Sequence, residues 1–523
     1  HTGWLDPGGN DDSQVVDVAW RPTGGARGLF WDANDFYAMS EWQEQAALAC
    51  DALLSGAGDE AGAAPPKDLH IPAERLRPEA RALAPWRTGG AFAVAPEPVA
   101  QLAAQAGALP PPCGLKAGVF KRLAVGGDEE IASELPWGLE DDASGLDVYL
   151  AFHHPSCAQW PSELEAVIEK EGADGEGWLQ FLGDTPFVPF RCVPKGVVDQ
   201  IHKKRVVTDH TYPFGYGISA NDGVGIEHLP DIKLSSGVRF AHSVAVAKSA
   251  GVGVLMWKRD AVSAYRQVPI NPRDLWKCGL VGRRGVLVDT RLSFGARMAP
   301  NKFQRLMMIP VREAMRRIAE FDDAHPPSDP TVVRWLAERR AALGDAQARL
   351  AAVVQYIDDT LGVSVNDYVD GTGKRRGEHH AAIFDAVMQE VGVVMAEGEK
   401  RVDSELEVEA LGIAVSAAED CVYYPEKKRL RLEARIEGIL EQATTGWVPR
   451  AAVESLVGKE KWVAHVAPSL QPKLASAYAM AHARGAPLNV VPSVAFLADQ
   501  RAILEALPTL PRRPLLPRSE FPP

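Results

Sequence analysis

The sequence has few cysteines and no long apolar run, and both absences exclude classes of protein. Its 6 cysteines among 523 residues form no Cys-x-x-Cys pair, so neither a zinc ribbon nor a disulfide framework is indicated. The most apolar stretch, residues 243–257, is interrupted by Lys248 and rich in small residues, so no membrane span is predicted. We therefore expect an intracellular protein, cytoplasmic or nuclear, with no membrane partner.

Two further patterns are missing. The first residues show no basic-then-apolar signal, so secretion is not expected, and the chain starts at His1 rather than Met, so we expect a piece of a longer polyprotein. His153, His154 and Cys157 lie close together, but the second ligand pair of a zinc site is absent. Metal binding is therefore not expected in that stretch.

The sequence does have a strong separation of charge. The formal net charge is −13, yet residues 191–305 hold 19 Lys and Arg against 8 Asp and Glu, whereas residues 1–190 hold 11 against 30. A local basic surface attracts a phosphate backbone whatever the total charge is. The basic excess of residues 191–305 therefore favours a polyanionic partner.

Composition and periodicity divide the chain. Its length predicts three or four structural units. Residues 1–186, rich in Ala, Gly and Pro, are predicted to be partly disordered and have no assigned role, and residues 486–523 are predicted to be a Pro-rich tail. Helices are predicted at 41–54, 162–172, 299–320, 332–353, 378–394, 450–466 and 474–482, and strands near 206–207, 252–257, 353–365, 411–415 and 421–424. Pro310 is expected to kink or split its helix.

Residues 353–365 place two adjacent carboxylates, Asp358 and Asp359, between apolar segments. An Asp-Asp pair is a poor strand former, so we expect it at the tip of a hairpin whose strands are buried. Side-by-side carboxylates repel each other unless a cation neutralises them, and Mg²⁺ prefers oxygen ligands. A turn with Asp at its corner is also common in proteins without catalysis, so this pair alone leaves both interpretations open.

A further carboxylate, Asp260, follows an apolar segment, and the aromatic Tyr265 comes five positions later. Two-metal phosphoryl transfer needs carboxylates that bridge two cations roughly 3.5–4 Å apart. One carboxylate from each of two neighbouring strands can build such a clamp. We predict that Asp260 and Asp358 bridge both ions and that Asp359 supports them.

Three segments, in this order, resemble the palm of reverse transcriptases. Asp260 matches the motif Asp-x-x-x-Ala-Tyr, residues 292–304 match the motif that opens the helix beneath template and nucleotide, and residues 356–359, Tyr-Ile-Asp-Asp, match the Tyr-x-Asp-Asp hairpin. The resemblance covers about residues 187–480. Softer motifs at 212–215, 219–222 and 456–468 are similar to DIRS-like, tyrosine-recombinase retrotransposons.

The resemblance implies an α+β fold of the right-hand polymerase type. Residues 187–418 would form fingers and palm, with an insertion at 321–352, and residues 419–485 a thumb-like helical region. The fingers would span 187–250 and 270–290. The palm would contribute its antiparallel sheet and the Tyr-x-Asp-Asp hairpin from residues 251–269, 291–320 and 351–418.

The resemblance also implies an RNA-directed DNA polymerase that extends a DNA primer with deoxynucleotides on an RNA or DNA template. Asp260, Asp358 and Asp359 would hold two Mg²⁺ ions, with Mn²⁺ as a substitute, and Lys400 matches a lysine that protonates the leaving pyrophosphate. The nucleotide-binding positions implied are Lys203, Lys204, Arg205, Tyr265, Phe294 and Gly295. The Tyr265 ring would leave no room for a ribose 2′-hydroxyl.

Three alternatives stay open: an RNA-dependent RNA polymerase, a non-catalytic relic that binds nucleic acid, and a domesticated polymerase whose acidic N-terminal region binds a protein partner. Lys258 and Arg259 also depart from the family pattern, because apolar or polar residues would be unremarkable before Asp260. No ribonuclease H, protease or recombinase signature is readable.

Overall fold

The computed structural model describes residues 33–55, 64–71, 114–141, 148–172, 175–181, 191–200, 203–214, 219–225, 229–283, 285–344, 348–369, 371–482 and 489–515. The disorder predicted within residues 1–186 concerns segments that lie outside these ranges. The described residues form two compact units. Unit 1 is drawn from His1–Ile232, Val262–Pro310 and Gln389–Val394, and unit 2 from Lys233–Ala261, Val311–Met388 and Met395–Pro523.

Helices and strands alternate irregularly along the chain. The helices are α1 Ala33–Leu54, α2 Ala117–Leu123, α3 Glu129–Glu134, α4 Pro155–Gln159, α5 Pro161–Glu171, α6 Gly237–Ser249, α7 Ala299–Ala324, α8 Pro330–Leu343, α9 Arg376–Val391, α10 Glu426–Ala443, α11 Arg450–Val466, α12 Ala475–Ala481 and α13 Val494–Ala506. The strands are β1 Leu69–Ile71, β2 Val148–Leu150, β3 Leu179–Phe181, β4 Arg191–Cys192, β5 Lys195–Gln200, β6 Lys203–Thr208, β7 Val254–Asp260, β8 Gly279–Gly282, β9 Gly285–Asp289, β10 Ala351–Tyr356, β11 Asp359–Val365, β12 Val402–Glu405, β13 Glu407–Ala410, β14 Ile413–Ser416, β15 Cys421–Tyr423, β16 Val448–Pro449, β17 Asn489–Val490 and β18 Arg513–Pro514. This mixture confirms the α+β class, while the arrangement of fingers, palm and thumb stays a prediction.

Local sequence explains where several helices begin. The side chain of Ser236 accepts a hydrogen bond from the Arg239 amide at the start of α6. Asp329 does the same for the first amides of α8, and Pro330 occupies the first helical turn, where its missing N–H costs nothing. Helix α7 continues through Pro310 as one element, so the expected split does not occur. No helix among the described residues has the length and apolar character needed to cross a membrane.

Unit 1 contains a six-stranded sheet in the order β1-β2-β4-β8-β9-β3. The pairs β2–β4 and β4–β8 are parallel, and the others are antiparallel. Helix α1 packs Met39 and Trp42 into the same apolar core as Leu150 and Val288. Strands from before residue 186 thus pair with strands after it, so the boundary expected there does not separate two units. The strands β1, β2 and β3 have three residues each, which is too short for the sequence to show the alternation of apolar and polar side chains that predicts a strand.

Several basic side chains of residues 191–305 pair, within unit 1, with acidic side chains of residues 1–190. Lys302 Nζ lies 2.8 Å from Glu134, and Arg305 donates hydrogen bonds of 2.6 and 2.8 Å to Asp128. Further pairs are Arg266–Glu171, Lys195–Glu171, Lys277–Asp141, Lys204–Glu163, Arg283–Asp51 and Arg283–Glu165. Among the residues that the structure describes, seven of the 19 Lys and Arg of residues 191–305 thus contact acids of residues 1–190, and the prediction of a polyanionic partner rests on the remaining ones.

Unit 2 is built on a four-stranded antiparallel sheet in the order β10-β11-β7-β12, with a second sheet β13-β14-β15-β18 and the pair β16–β17. One apolar core runs from the first sheet to the helices of the predicted thumb-like region. Its members include Val254, Met256, Leu361, Val363, Leu432, Ile436, Leu456, Val463 and Phe496. The region 419–485 therefore shares its core with the sheet that carries Asp260.

Residues 489–515, which the sequence assigns to a Pro-rich tail, are instead part of the folded unit 2. Helix α13 buries Phe496 and Ile503 completely, Leu507 follows them into the same core, and β18 pairs with β15. The apolar spacing of Phe496, Ile503 and Leu507 is helical, but the prolines around it favour an irregular tail when the sequence is taken alone.

Candidate active site

The β10–β11 hairpin and strand β7 bring the three predicted carboxylates to one end of the unit 2 sheet. Asp359 lies directly opposite Asp260 in the β11–β7 register and opposite Tyr356 in the hairpin. Asp358 occupies the two-residue turn, and its carbonyl accepts a hydrogen bond of 2.9 Å from the Ala261 amide. Two neighbouring strands thus deliver the carboxylates of Asp260, Asp358 and Asp359 together.

The hairpin tip is held in a backbone conformation that its residues do not favour. Ile357 has φ +52°, which a β-branched residue rarely adopts, although tight two-residue hairpin loops demand positive φ. Gln355 Nε2 donates a 2.7 Å hydrogen bond to the Ile357 carbonyl, and Thr360 donates to Gln355 Oε1. Gln355 and Thr360 are buried. Sequence reasoning missed this pair, whose only signal is two polar residues inside apolar strands.

Two lysines face the three carboxylates. Lys400 Nζ donates a 2.7 Å hydrogen bond to Asp260 Oδ1, and Lys258 Nζ lies 3.0 Å from Asp359 Oδ1. Burial raises the pKa of Asp358, and the negative charges of Asp359 and Asp260 raise it further. The site therefore concentrates negative charge that its own ammonium groups offset only in part.

The donor set suits a hard divalent cation, because it consists of carboxylate oxygens alone. The crowding that raises the pKa of Asp358 is what a bound cation would relieve. As they stand, no three His, Cys, Asp or Glu side chains in the described ranges are arranged to hold a metal ion. Lys400 bonds Asp260, whereas the buried Oδ1 of Asp359, beside Lys258, has no hydrogen-bond partner among the described residues. The oxygens therefore suit a cation by their chemistry, and a cation at Asp260 requires Lys400 to move. The predicted metal ligands stay a prediction.

The two basic residues that precede Asp260 have separate roles. Successive strand residues face opposite sides, so Lys258 shares its face with Asp260 while Arg259 points the other way. Arg259 is fully buried and bonds Asp385 through Nε at 2.6 Å and Nη2 at 2.9 Å, and Asp403 at 2.8 Å. Arg259 therefore ties β7 to helix α9.

In unit 1, Tyr265 is buried in an aromatic cluster. Its ring centroid lies 4.7 Å from that of Phe294 and 5.6 Å from that of Phe303, and Phe294 is 48% exposed. Gly295 has φ +102°, and a Cβ there would lie 2.3 Å from the Thr208 carbonyl oxygen. Only glycine fits this turn.

Asn221 connects two motifs that the sequence presents far apart. Its Nδ2 donates to the Gly295 carbonyl and to Thr211 Oγ1, each at 2.9 Å, and its Oδ1 accepts from the Arg297 amide at 2.8 Å. The asparagine of the segment 219–222, named from sequence only as part of a resemblance, therefore shapes the turn that follows Phe294.

Lys203, Lys204 and Arg205 lie on β6, which pairs with β5. Lys204 Nζ sits 3.4 Å from the Trp160 ring centroid and 3.4 Å from Glu163, whereas Arg205 is exposed. The side chain of Lys203 lies outside the described part of the chain. Arg205 is therefore the better candidate for the predicted phosphate contact. The ammonium group of Lys204 already contacts Glu163 on α5 and the ring of Trp160, the N-cap of that helix.

His153, His154 and Cys157 each have a protein partner. His153 Nε2 lies 3.0 Å from the Val281 carbonyl, His154 contacts Asp209, and the Cys157 thiol donates to the Lys195 carbonyl. Burial lowers the pKa of His153 to about 4. These contacts give all three side chains a structural role within unit 1.

The sequence matches no protein-family model and no curated protein. Among solved structures, it is similar to foamy viral protease-reverse transcriptase in complex with an RNA/DNA hybrid, with a TM-score of 0.36 and 14% identity over 68% of this chain and 38% of that one. A complex of the foamy viral protein with double-stranded DNA gives a TM-score of 0.35 and 14% identity over 72% and 61%. The chain thus spans less than two thirds of these proteins, and the values assign it to no family.

Proposed function

We propose that the chain is an RNA-directed DNA polymerase of a retroelement, with its catalytic centre at the end of the unit 2 sheet. The observation that supports this most is the register that sets Asp260 against Asp359, with Asp358 at the adjoining hairpin tip. The order of the three motifs in the sequence supports the same proposal. A DIRS-like origin rests on the softer motifs alone.

Asp260, Asp358 and Asp359 would hold Mg²⁺, which when bound activates the primer 3′-hydroxyl and stabilises the leaving pyrophosphate. Lys400 is 65% exposed and contacts Asp260 through a single hydrogen bond, so its side chain is free to leave that carboxylate. In this proposal the Lys400 ammonium then donates a proton to the pyrophosphate as general acid.

The nucleotide-binding positions of the proposal belong to unit 1. The Tyr265 ring, fixed against Phe294 and Phe303, would exclude a ribose 2′-hydroxyl. The exposed guanidinium of Arg205 would grip triphosphate oxygens in pairs. Gly295 would let the backbone of its turn approach the nascent base pair.

Primer extension on an RNA template tests the proposal. Wild-type protein with Mg²⁺ and deoxynucleotides is expected to extend a DNA primer, and Asp358→Asn to abolish extension because it removes one of the predicted ligands. Asp323→Asn, on an exposed position of α7, is the matched control and should retain activity. Folded wild-type protein that never extends the primer would sink the enzyme proposal, and activity that survives Asp358→Asn would remove the site assignment.

Sugar selection separates DNA synthesis from RNA synthesis. If Tyr265 closes the pocket, the wild type rejects ribonucleotides and Tyr265→Ala accepts them, with deoxynucleotide use largely retained. Equal use of both sugars by the wild type would favour an RNA-dependent RNA polymerase instead.

One observation favours a second candidate, a nucleic-acid-binding protein without catalysis. Lysines already contact two of the three carboxylates, Asp260 and Asp359, as a stable metal-free centre would need. Fluorescence anisotropy with a labelled RNA/DNA hybrid distinguishes the two, because binding without extension at any Mg²⁺ or Mn²⁺ concentration supports the second candidate.

A further inference from the structure

Arg259 and Arg401, both in unit 2, share two carboxylates. Arg259 donates hydrogen bonds of 2.6 and 2.9 Å to Asp385 and one of 2.8 Å to Asp403. Arg401 bonds the same two side chains, at 2.7 Å from Asp385 and 2.9 Å from Asp403. Two guanidinium groups this close would repel each other without the acids between them. The four side chains thus form a closed arrangement of alternating charge, here called the charge square.

Each arginine is the chain neighbour of a side chain in the candidate active site. Arg259 precedes Asp260, and Arg401 follows Lys400, whose ammonium group donates the 2.7 Å hydrogen bond to Asp260 Oδ1. Successive strand residues face opposite sides, so Arg259 points away from Asp260. The charge square therefore lies behind the backbone that carries the Asp260–Lys400 contact.

The loop 397–401 leaves β7 and returns to it. The Ala396 amide bonds the last carbonyl of β7 at 2.7 Å, and Val402 begins β12, which pairs with β7. Between these ends, Gly398 has φ +66°, and a Cβ there would meet nothing within 4 Å among the residues described. The backbone of the loop is thus open to solvent at its glycine, and the side chain of Arg401 fixes its second half to the sheet.

Asp385 is the firmer of the two acids. It lies on α9 beside Phe384, which is fully buried against Trp257 with ring centroids 5.3 Å apart. The side chain of Asp385 is 24% exposed, whereas that of Asp403 is 60% exposed. An ion pair shielded from water is held more strongly than an exposed one. Asp385 therefore fixes Arg401 to the helix behind the sheet.

We infer that Asp385 is a positioning residue: by bonding Arg259 and Arg401 together, it holds the Lys400 backbone beside Asp260. The inference rests on the proposed function, in which Lys400 is the general acid. A general acid is effective only when it is held within reach of the oxygen that it protonates. The Lys400 side chain is 65% exposed and moves, while its backbone is fixed by the arginine next to it.

Single-turnover primer extension at saturating deoxynucleotide tests this. Asp385→Asn and Arg401→Gln should each lower the rate constant about tenfold, and Lys400→Ala about a hundredfold. Either variant combined with Lys400→Ala should extend within about threefold of Lys400→Ala alone, because both act through one ammonium group. Losses that multiply to about a thousandfold would mean that Asp385 acts elsewhere, and they would overturn the inference.

Asp367→Asn is the matched control. It too removes a carboxylate that makes two hydrogen bonds to a buried arginine of unit 2, Arg376. It should cost comparable stability in urea unfolding and leave the rate of extension as in the wild type. Equal losses of rate in Asp367→Asn and Asp385→Asn would mean general destabilisation and no positioning role. Arg401→Gln keeps the Arg259–Asp385 contact, so it serves where Asp385→Asn does not fold, as judged by circular dichroism.

Native-state hydrogen exchange measures the same positioning without catalysis. The Arg401 amide bonds the Gly398 carbonyl at 3.0 Å. Asp385→Asn should lower the protection of this amide at least about tenfold, whereas the Ala396 amide, at the other end of the loop, should keep its protection. Unchanged protection at Arg401 would overturn the inference even if extension is lost.

Failure of the inference is distinguishable from failure of the proposed function. If Lys400→Ala extends the primer like the wild type, the general-acid assignment fails and the inference fails with it. If Lys400→Ala loses extension while Asp385→Asn and Arg401→Gln do not, the proposed function stands and only the inference falls. If folded wild-type protein never extends the primer, exchange at the Arg401 amide alone decides whether Asp385 holds the loop.

Discussion

Gly362 lies directly opposite Trp257 across the β7–β11 ladder, with no room for a side chain between them. A Cβ at Gly362 would come 1.8 Å from Trp257 Cε2. Trp257 cannot retreat easily, because it is fully buried, packs on Phe384 with ring centroids 5.3 Å apart, and donates a 3.3 Å hydrogen bond to Ser364. The strand that follows the Ile357–Asp358 turn therefore packs directly against an indole that cannot move away.

Gly362→Ala is therefore expected to destabilise unit 2 by about 2–3 kcal/mol, the upper part of the range for overpacking a filled core. Urea unfolding followed by circular dichroism measures it. Gly438→Ala on α10 is the matched control: a Cβ there meets nothing within 4 Å in the described part of the chain. That substitution should stabilise by roughly 0.5–1 kcal/mol through helix propensity. Equal effects of the two alanines would contradict the tight Gly362–Trp257 contact.

Asn221→Ala is expected to loosen the turn at Gly295, because one carboxamide makes three hydrogen bonds around it. A cost of about 2 kcal/mol follows from leaving these buried groups without their partner. Native-state hydrogen exchange reports it locally: the Arg297 amide should lose protection. The Val268 amide, bonded to the Tyr265 carbonyl, should keep its protection, and a matching loss at both amides would mean general unfolding of unit 1.

The hairpin of the candidate site can be predicted from sequence because its signal is local. Apolar segments flank Asp358 and Asp359, and the two strands pair over nearly the whole predicted length. Helix 450–466 is predictable for the same reason, and α11 has those bounds. The lysine contacts to Asp260 and Asp359 could not be predicted, since Lys400 comes from 140 residues away and Lys258 is a departure from the family pattern.

The charge pattern does not identify which acidic groups the basic residues meet, for a physical reason. A run of basic residues attracts either an external polyanion or an acidic segment of its own chain, and sequence alone does not say which. In unit 1 the acids of residues 1–190 fill that role, as at Arg305 and Asp128. The same pairing explains why the described part of the N-terminal region belongs to unit 1 rather than forming an appendage.

The Arg305–Asp128 pair is expected to be energetically coupled, because Arg305 is 10% exposed and makes two short bonds to one carboxylate. A double-mutant cycle with Arg305→Met and Asp128→Asn should give about 1–2 kcal/mol. Asparagine keeps the acceptor that caps α3 through the Ile131 amide, so the cycle isolates the ion pair. The exposed pair Arg316–Glu320 on α7 is the control and should show no measurable coupling. Coupling that vanishes in both pairs would mean that Asp128 does not hold Arg305 in the folded protein.

Glu460 should make the stability of unit 2 depend on pH. It is buried in α11, neither of its carboxyl oxygens has a hydrogen-bond partner among the described residues, and burial raises its pKa to about 7 from 4.5. Between these two values the folded state binds the proton more tightly than the unfolded state, so unfolding releases it. Stability from this group is complete below about pH 4.5 and is lost as the pH rises through about 7, a change of about 3 kcal/mol.

Glu460→Gln should remove that dependence, because glutamine stays neutral at every pH while keeping nearly the same shape. Urea unfolding from about pH 5 to about pH 9 is expected to show a flatter curve for Glu460→Gln, with the variant more stable than the wild type above about pH 8. Glu437→Gln on α10, at an exposed position, controls for the loss of a carboxylate elsewhere in the unit and should leave the slope as it is in the wild type. An unchanged slope in Glu460→Gln would mean that Glu460 is not protonated in the folded protein, because histidines whose pKa is lowered by burial, such as His379 and His465, raise stability with pH in both proteins alike.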